Sequence, residues 1–134
     1  MAGDTVVVDA SAIASLIFNE PGNDKVWSIL ENRGLIAPSL LPYEITNVAL
    51  SKIEAYPEQS AAINKIMKQV DDMMIDYVQI PMKAMMGLAQ KTGLSSYDAA
   101  YLWLSLELEI PLVTLDKDLN STAQQFGIQT FEGK

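Results

Sequence analysis

Short β-branched or apolar stretches alternate with helix-patterned segments along nearly the whole chain, and this alternation constrains the fold more than any other feature. Residues 5–8, Thr-Val-Val-Val, read as a buried strand ending at Asp9. A helix follows over 11–18, with Ile13, Leu16 and Ile17 on one face. Pro21-Gly22 breaks the chain, and 24–32 reads as a second helix with Val26, Ile29 and Leu30 inward and Gly34 as its C′ residue. Residues 35–37 form a short strand. Ser39 is placed to cap a helix that begins at Leu40, with Pro42 in its first turn. A long helix is predicted over 58–75 from the spacing of Ile63, Ile66, Met67, Val70, Met73 and Met74. Then come a strand over 77–80, a helix over 82–91 stopped by Gly93, and a helix capped by Ser95 or Ser96 that carries Asp98, Tyr101, Leu102, Leu104 and Leu108. A buried strand over 111–115, a helix over 117–126 and a strand over 128–130 complete the chain. Strands alternating with helices predict an α/β fold, a parallel sheet covered on both faces.

The 134 residues suit one domain, 1–134, and 49% apolar residues suffice for a core. No apolar run reaches the length of about 18 that a membrane span needs. No basic stretch precedes the first apolar segment, and Asp9 interrupts it, which argues against a signal peptide. The absence of Cys excludes disulfides and thiolate metal sites, and a cytoplasmic protein is expected. Nine Lys and Arg against 17 Asp and Glu give 9 − 17 = −8. Any attraction for nucleic acid must therefore be local or supplied by bound cations. The same acidity suits a basic protein partner.

Four acids stand out against this background: Asp9, Glu44, Asp98 and Asp116. In open α/β sheets, ligands bind outside the carboxyl ends of the strands, where Asp9 and Asp116 fall. Each acid also has a purely local explanation. Asp9 precedes a helix and can cap it, although Ser11 could take that role and leave Asp9 free. Asp98 lies three residues after Ser95, the spacing of a capping box. Asp116 opens the last helix, with Asp118 competing for the cap. Glu44 lies inside a helix among Leu40, Leu41, Ile45 and Val48, where a carboxylate needs either a partner or a solvated face.

Elimination narrows the chemistry. Ser-His-Asp, Cys-His and His-pair mechanisms need a His that is absent, and zinc hydrolases need His or Cys ligands in nearly all cases. No phosphate-binding Gly-rich loop is present. A receiver-type phosphoryl-transfer domain would carry an acidic pair directly after its first strand, whereas Asp9 is followed by Ala10 and Ser11. Converging carboxylates repel one another, and Mg²⁺ or Mn²⁺ relieves that repulsion with hard oxygen ligands. An enzyme built on this chain is most simply a carboxylate–metal hydrolase.

The stretches Val6-Val7-Val8-Asp9-Ala10-Ser11, Ala37 to Asn47 around Glu44, Ser96-Tyr97-Asp98-Ala99-Ala100-Tyr101, and Pro111 to Asp116 resemble, in order and spacing, the four acidic motifs of the PIN domain family. The similarity spans Thr5 to Thr130, and the nearest likeness is to VapC-type toxin ribonucleases. The resemblance implies a three-layer α/β/α fold with a five-stranded parallel sheet in the order 3-2-1-4-5. It implies a Mg²⁺- or Mn²⁺-dependent endoribonuclease in which Asp9, Glu44, Asp98 and Asp116 are catalytic and Asp9, Asp98 and Asp116 hold metal. Ser11 and Thr114 match the supporting hydroxyls, and Asp118 an outer acid. A homodimer and inhibition by a small antitoxin are implied as well. Lys117 and Lys91 are the candidate RNA contacts, fewer cations than many relatives carry. That shortage keeps a second reading in view, a non-catalytic PIN-like module that binds a protein or RNA.

Overall fold

Val6, Val7 and Val8 have no exposed surface, and a strand buried on both faces is what an unbroken run of β-branched residues favours. They form most of β1 (Thr5–Val8), the centre of the sheet in a computed structural model that describes residues 4–131. Around it lie β2 (Gly34–Pro38), β3 (Asp76–Val78) and β4 (Leu112–Val113), all parallel, in the order β3-β2-β1-β4. Helices α1 (Ala10–Ile17), α2 (Asn23–Leu30), α3 (Leu41–Ala55) and α4 (Ser60–Asp72) pack on one another, and α5 (Met82–Thr92), α6 (Ser96–Leu108) and α7 (Lys117–Gln125) form a second group with α6 against β1 and β2. The result is a three-layer α/β/α arrangement. The core joins Ile13, Leu41, Ile45, Tyr101, Leu102, Leu104, Leu112 and Leu119 to the central valines.

The expected fifth strand is not formed. Only an isolated parallel bridge, Leu112 to Thr130, extends the sheet beyond β4, so it has four strands where five were expected. The physical cause is the shortness of β4. Pro111 has no N–H to offer a ladder, and after Val113 the chain turns away to bring Thr114 to Asp9. A main-chain bond from the Leu112 N–H to the Gln129 carbonyl (3.0 Å) ties the last segment to β4, and the Ile128 N–H bonds back to the Ala123 carbonyl of α7 (3.0 Å).

Three local expectations also change. Gly34 opens β2 and does not close α2; Asn32, at φ 66°, takes the left-handed turn. A Cβ at Gly34 would lie 3.0 Å from Thr5 Oγ1, so close strand approach is what calls for glycine there. Ser39 does not cap α3: Leu40 occupies the N-cap position with no side-chain bond, and the Ser39 N–H is given to the Val78 carbonyl at 2.8 Å. The long helix begins only after a single 3₁₀ turn over Pro57–Gln59 and ends at Asp72, with Met74 in the left-handed region at φ 54°. Among the described residues, no helix is long and apolar enough to cross a membrane.

Ser95 does cap α6, accepting the Asp98 N–H at 3.1 Å. Ser95→Ala is expected to cost about 1 kcal/mol, the usual loss for an N-cap serine, read as a lowered urea midpoint at unchanged m-value. A midpoint equal to wild type would show that packing alone sets the start of α6.

Candidate functional site

The carboxyl end of β1 delivers Asp9 directly into the N-cap of α1. The residue is only 4% exposed, and all of its hydrogen-bonding capacity seen here is local to the sheet edge. Oδ1 accepts the Ala12 N–H at 3.0 Å and the Ser11 hydroxyl at 2.7 Å. Oδ2 accepts a short hydrogen bond from the Thr114 hydroxyl, which arrives from the end of β4. Asp9 therefore caps α1 itself. Ser11, the alternative cap, donates to Asp9 and in turn accepts the Leu115 N–H at 2.9 Å. Ser11 and Thr114 thus tie the ends of β1 and β4 together around one carboxylate, with 3.4 Å between their hydroxyl oxygens.

Asp116 follows two residues later. Its Oδ1 accepts the Leu119 N–H at 2.9 Å, making it the N-cap of α7, and its own N–H goes to Thr114 Oγ1 at 3.0 Å. The competition with Asp118 over this cap is settled for Asp116; Asp118 lies exposed in the first turn of α7. Asp98, in the first turn of α6, is half-buried, and its carboxylate accepts no hydrogen bond among the described residues. Glu44 lies in the first turn of α3 and is likewise half-buried. Its Oε1 accepts the hydroxyl of Tyr101 at 2.7 Å.

Electrostatics show that these groups share one field. Burial pushes the Asp9 carboxyl up to about 6, against the bonds from Thr114, Ala12 and Ser11, and the Asp98 charge adds to the rise. Asp98 is pushed up to about 6 as well, by burial first and then by Asp116, Glu44 and Asp118. Burial also raises Glu44, partly offset by the Tyr101 bond. Tyr101 is held far above its ordinary range by its own burial and by the Glu44 charge, so its hydroxyl remains a donor. Acids at the starts of α1, α3, α6 and α7 therefore lie near one another at the carboxyl edge of the sheet, with Thr114 bonded to Asp9 and Tyr101 of α6 bonded to Glu44 of α3.

The donors are all oxygen, which matches a hard divalent cation. Their spacing is looser than a closed cage: among the described residues, no three acidic side chains stand close enough to grip one ion together. Such an arrangement fits an ion that keeps several of its waters, as Mg²⁺ does.

The two candidate cations separate. Lys117 is exposed directly beside Asp116. Lys91 has its Nζ 5.7 Å from the centroid of the Phe126 ring, and Phe126 closes the end of α7 opposite Asp116. Tyr101 is the site residue that spacing did not single out. The available signal was a tyrosine on the apolar face of its helix, since a buried tyrosine hydroxyl usually finds a partner.

A search of curated proteins finds no match. Among solved structures, the Pyrobaculum aerophilum protein PAE2754 is similar at 28% identity and a TM-score of 0.78, over 97% of this chain and 90% of that one. A PilT N-terminus domain protein, SSO1118 from the archaeon Sulfolobus solfataricus P2, shares the fold at 16% identity and a TM-score of 0.54, over 95% and 85% of the two chains. The sequence model of the PIN domain matches residues 6–125. PIN domains are typically nucleases and generally use divalent metal ions. With its parallel sheet, its ordered acidic motifs and a match over nearly its whole length, the chain belongs to the PIN domain family.

Proposed function

We propose that this PIN domain is a Mg²⁺- or Mn²⁺-dependent endoribonuclease, acting in the cytoplasm as the toxin of a toxin–antitoxin pair. The observation that carries the catalytic reading is that Asp9, Glu44, Asp98 and Asp116 stand at the starts of four helices, drawn together by the Thr114–Asp9 and Tyr101–Glu44 hydrogen bonds. In this reading Asp9, Asp98 and Asp116 would hold the ion in part through the waters it keeps, because the three do not stand close enough to grip it directly together. Bound there, it would lower the pKa of a water and offset charge on the phosphate. Ser11, in the first turn of α1, and Thr114, just past β4, fix the Asp9 carboxylate by hydrogen bonds. Tyr101 holds Glu44 by Oε1 and leaves the second oxygen to orient a water or take its proton. Asp118 adds negative charge at the rim and Lys117 contacts the RNA backbone. The toxin role, a homodimer and a basic antitoxin rest on the resemblance in motif order and on the net charge of −8.

Purified protein should cleave single-stranded RNA with Mn²⁺ or Mg²⁺, lose that activity in EDTA, and regain it when the ion is restored. Asp98→Asn should weaken Mn²⁺ binding in calorimetry at least tenfold, since one charged ligand of a shared site is gone. No cleavage and no heat of Mn²⁺ binding would remove the enzymatic reading. The loose spacing of the acids and the scarcity of cations would then favour the binding-module reading, in which partner or RNA binding survives without metal.

A further inference from the structure

Each helix that brings Glu44 or Asp98 to the site also brings an exposed tyrosine immediately before the acid. Tyr43, in the first turn of α3, is 76% exposed, and Tyr97, in the first turn of α6, is 55% exposed. Consecutive residues on a helix are offset by about 100° and 1.5 Å along the axis, so each ring flanks its carboxylate without pointing into it. Tyr101, one turn along α6 from Tyr97, donates to Glu44 of α3 at 2.7 Å, so the starts of the two helices lie side by side and both rings border one site. No ring or hydrogen-bond partner holds either tyrosine among the described residues. Exposing two large aromatic rings at the rim of an acidic site has no packing benefit.

The cations tell the complementary half. Of the nine Lys and Arg, Lys52 is spent on Glu20 at 2.8 Å, Arg33 stands over the Phe131 ring at 5.2 Å, and Lys91 stands over Phe126. Lys117 alone adjoins a site acid in sequence. With one cation next to the site acids in sequence, charge alone offers little hold on a polyanion there, and another source of affinity is needed. Stacking of bases on aromatic rings supplies it, is indifferent to base identity, and requires bases that are unpaired.

We infer that Tyr43 and Tyr97 are base-stacking platforms for single-stranded nucleic acid, gripping bases on either side of the carboxylates. The inference rests on the nuclease reading and adds to it two binding residues and the way in which they hold an unpaired strand. Base contact, not phosphate contact, then sets most of the affinity at this site.

The test is steady-state cleavage of a fluorescent single-stranded RNA in Mn²⁺ by the full chain, for Tyr43→Ala, Tyr97→Ala, Tyr43→Phe, Tyr97→Phe and Trp27→Ala. Each alanine variant should raise KM about tenfold, the range for loss of one stacked base, with kcat changed less than about threefold. The phenylalanine variants keep the ring and should recover the lost affinity. Trp27, 57% exposed on α2, is an aromatic control and should leave KM unchanged. An abasic version of the same RNA, which loses both stacks, should bind wild type more weakly than the intact RNA binds either alanine variant. Cleavage that proceeds with unchanged KM in both alanine variants overturns the inference while leaving the nuclease intact, and assigns the two rings to a protein partner. Equal affinity for intact and abasic RNA overturns it as well. A wild-type protein that neither binds nor cuts RNA defeats this inference and the nuclease reading together.

Discussion

Asp9→Asn is expected to yield a folded protein that cleaves RNA at least about a hundredfold more slowly than wild type, the scale of losing a few kcal/mol of metal-borne stabilisation. The substitution is chosen because it separates the two duties of the residue. As an N-cap, Asn is as good as Asp, and its carbonyl oxygen can still accept the Ala12 N–H and the Ser11 hydroxyl. The amide nitrogen would face Thr114, whose hydroxyl can rotate to accept in place of donating. What disappears is a negative charge at a position 4% exposed. Metal affinity should fall with activity, while the fold becomes no less stable at neutral pH, because a buried charge has been replaced by a neutral group. Melting curves and initial rates on the same preparations check both halves. Cleavage equal to wild type would sink the assignment of Asp9 to the chemistry.

In the absence of divalent ions, stability is expected to fall as pH rises from about 4 to 7. Asp9 and Asp98 both have folded-state values of about 6 against an ordinary 3.8. Between those values the folded chain binds more protons than the unfolded one, so each increment of pH favours unfolding. For Asp9, fully enclosed, the shift corresponds to roughly 3 kcal/mol lost across the window. Asp98 is half-buried and solvent-screened, so its share is smaller. Glu44, raised in the same direction, adds to the trend. For a chain of this size the loss amounts to a fall in Tm of about 10 °C. Millimolar Mn²⁺ should reverse much of it at pH 7 and have little effect at pH 4.5, where the carboxyls are protonated and cannot ligate. Asp9→Asn should flatten most of the metal-free slope. A Tm that is flat or rising from pH 4 to 7 without metal would show that the acids are less desolvated and less crowded than their burial indicates.

Much of the fold was legible because its signals are local. Three valines between Thr5 and Asp9 can only be a buried strand in a chain this size, and Ser95 three residues before Asp98 is an N-cap whichever way the helix packs, although the return bond from the Asp98 side chain that would complete a capping box is not made among the described residues. Asp9 and Asp116 were legible as strand-end residues for the same reason, and they are indeed caps. The choice between cap and site residue proved to be no choice for Asp9, since one oxygen caps the helix while the other reaches Thr114. Sequence patterning failed where the outcome depended on a neighbour in space. Ile128 to Thr130 looks like a strand, but a two-residue β4 gives it nothing to extend along. Gly34 looks like a helix stop, but it answers to Thr5 on the adjacent strand.

The order of apolar and polar residues along the chain determined the α/β class and most of the helices and singled out four candidate acids, because periodicity, capping and the exclusion of His and Cys chemistry act within a few residues or by composition alone. Tertiary structure decided the partnerships. The Tyr101 hydroxyl meets Glu44 across 57 positions, Thr114 meets Asp9 across 105, and the carboxyls of Asp9 and Asp98 are raised first by desolvation and then by neighbouring acids. Contacts between distant segments, and the loss of water that accompanies them, exist only once the sheet has drawn the ends of its strands to one edge.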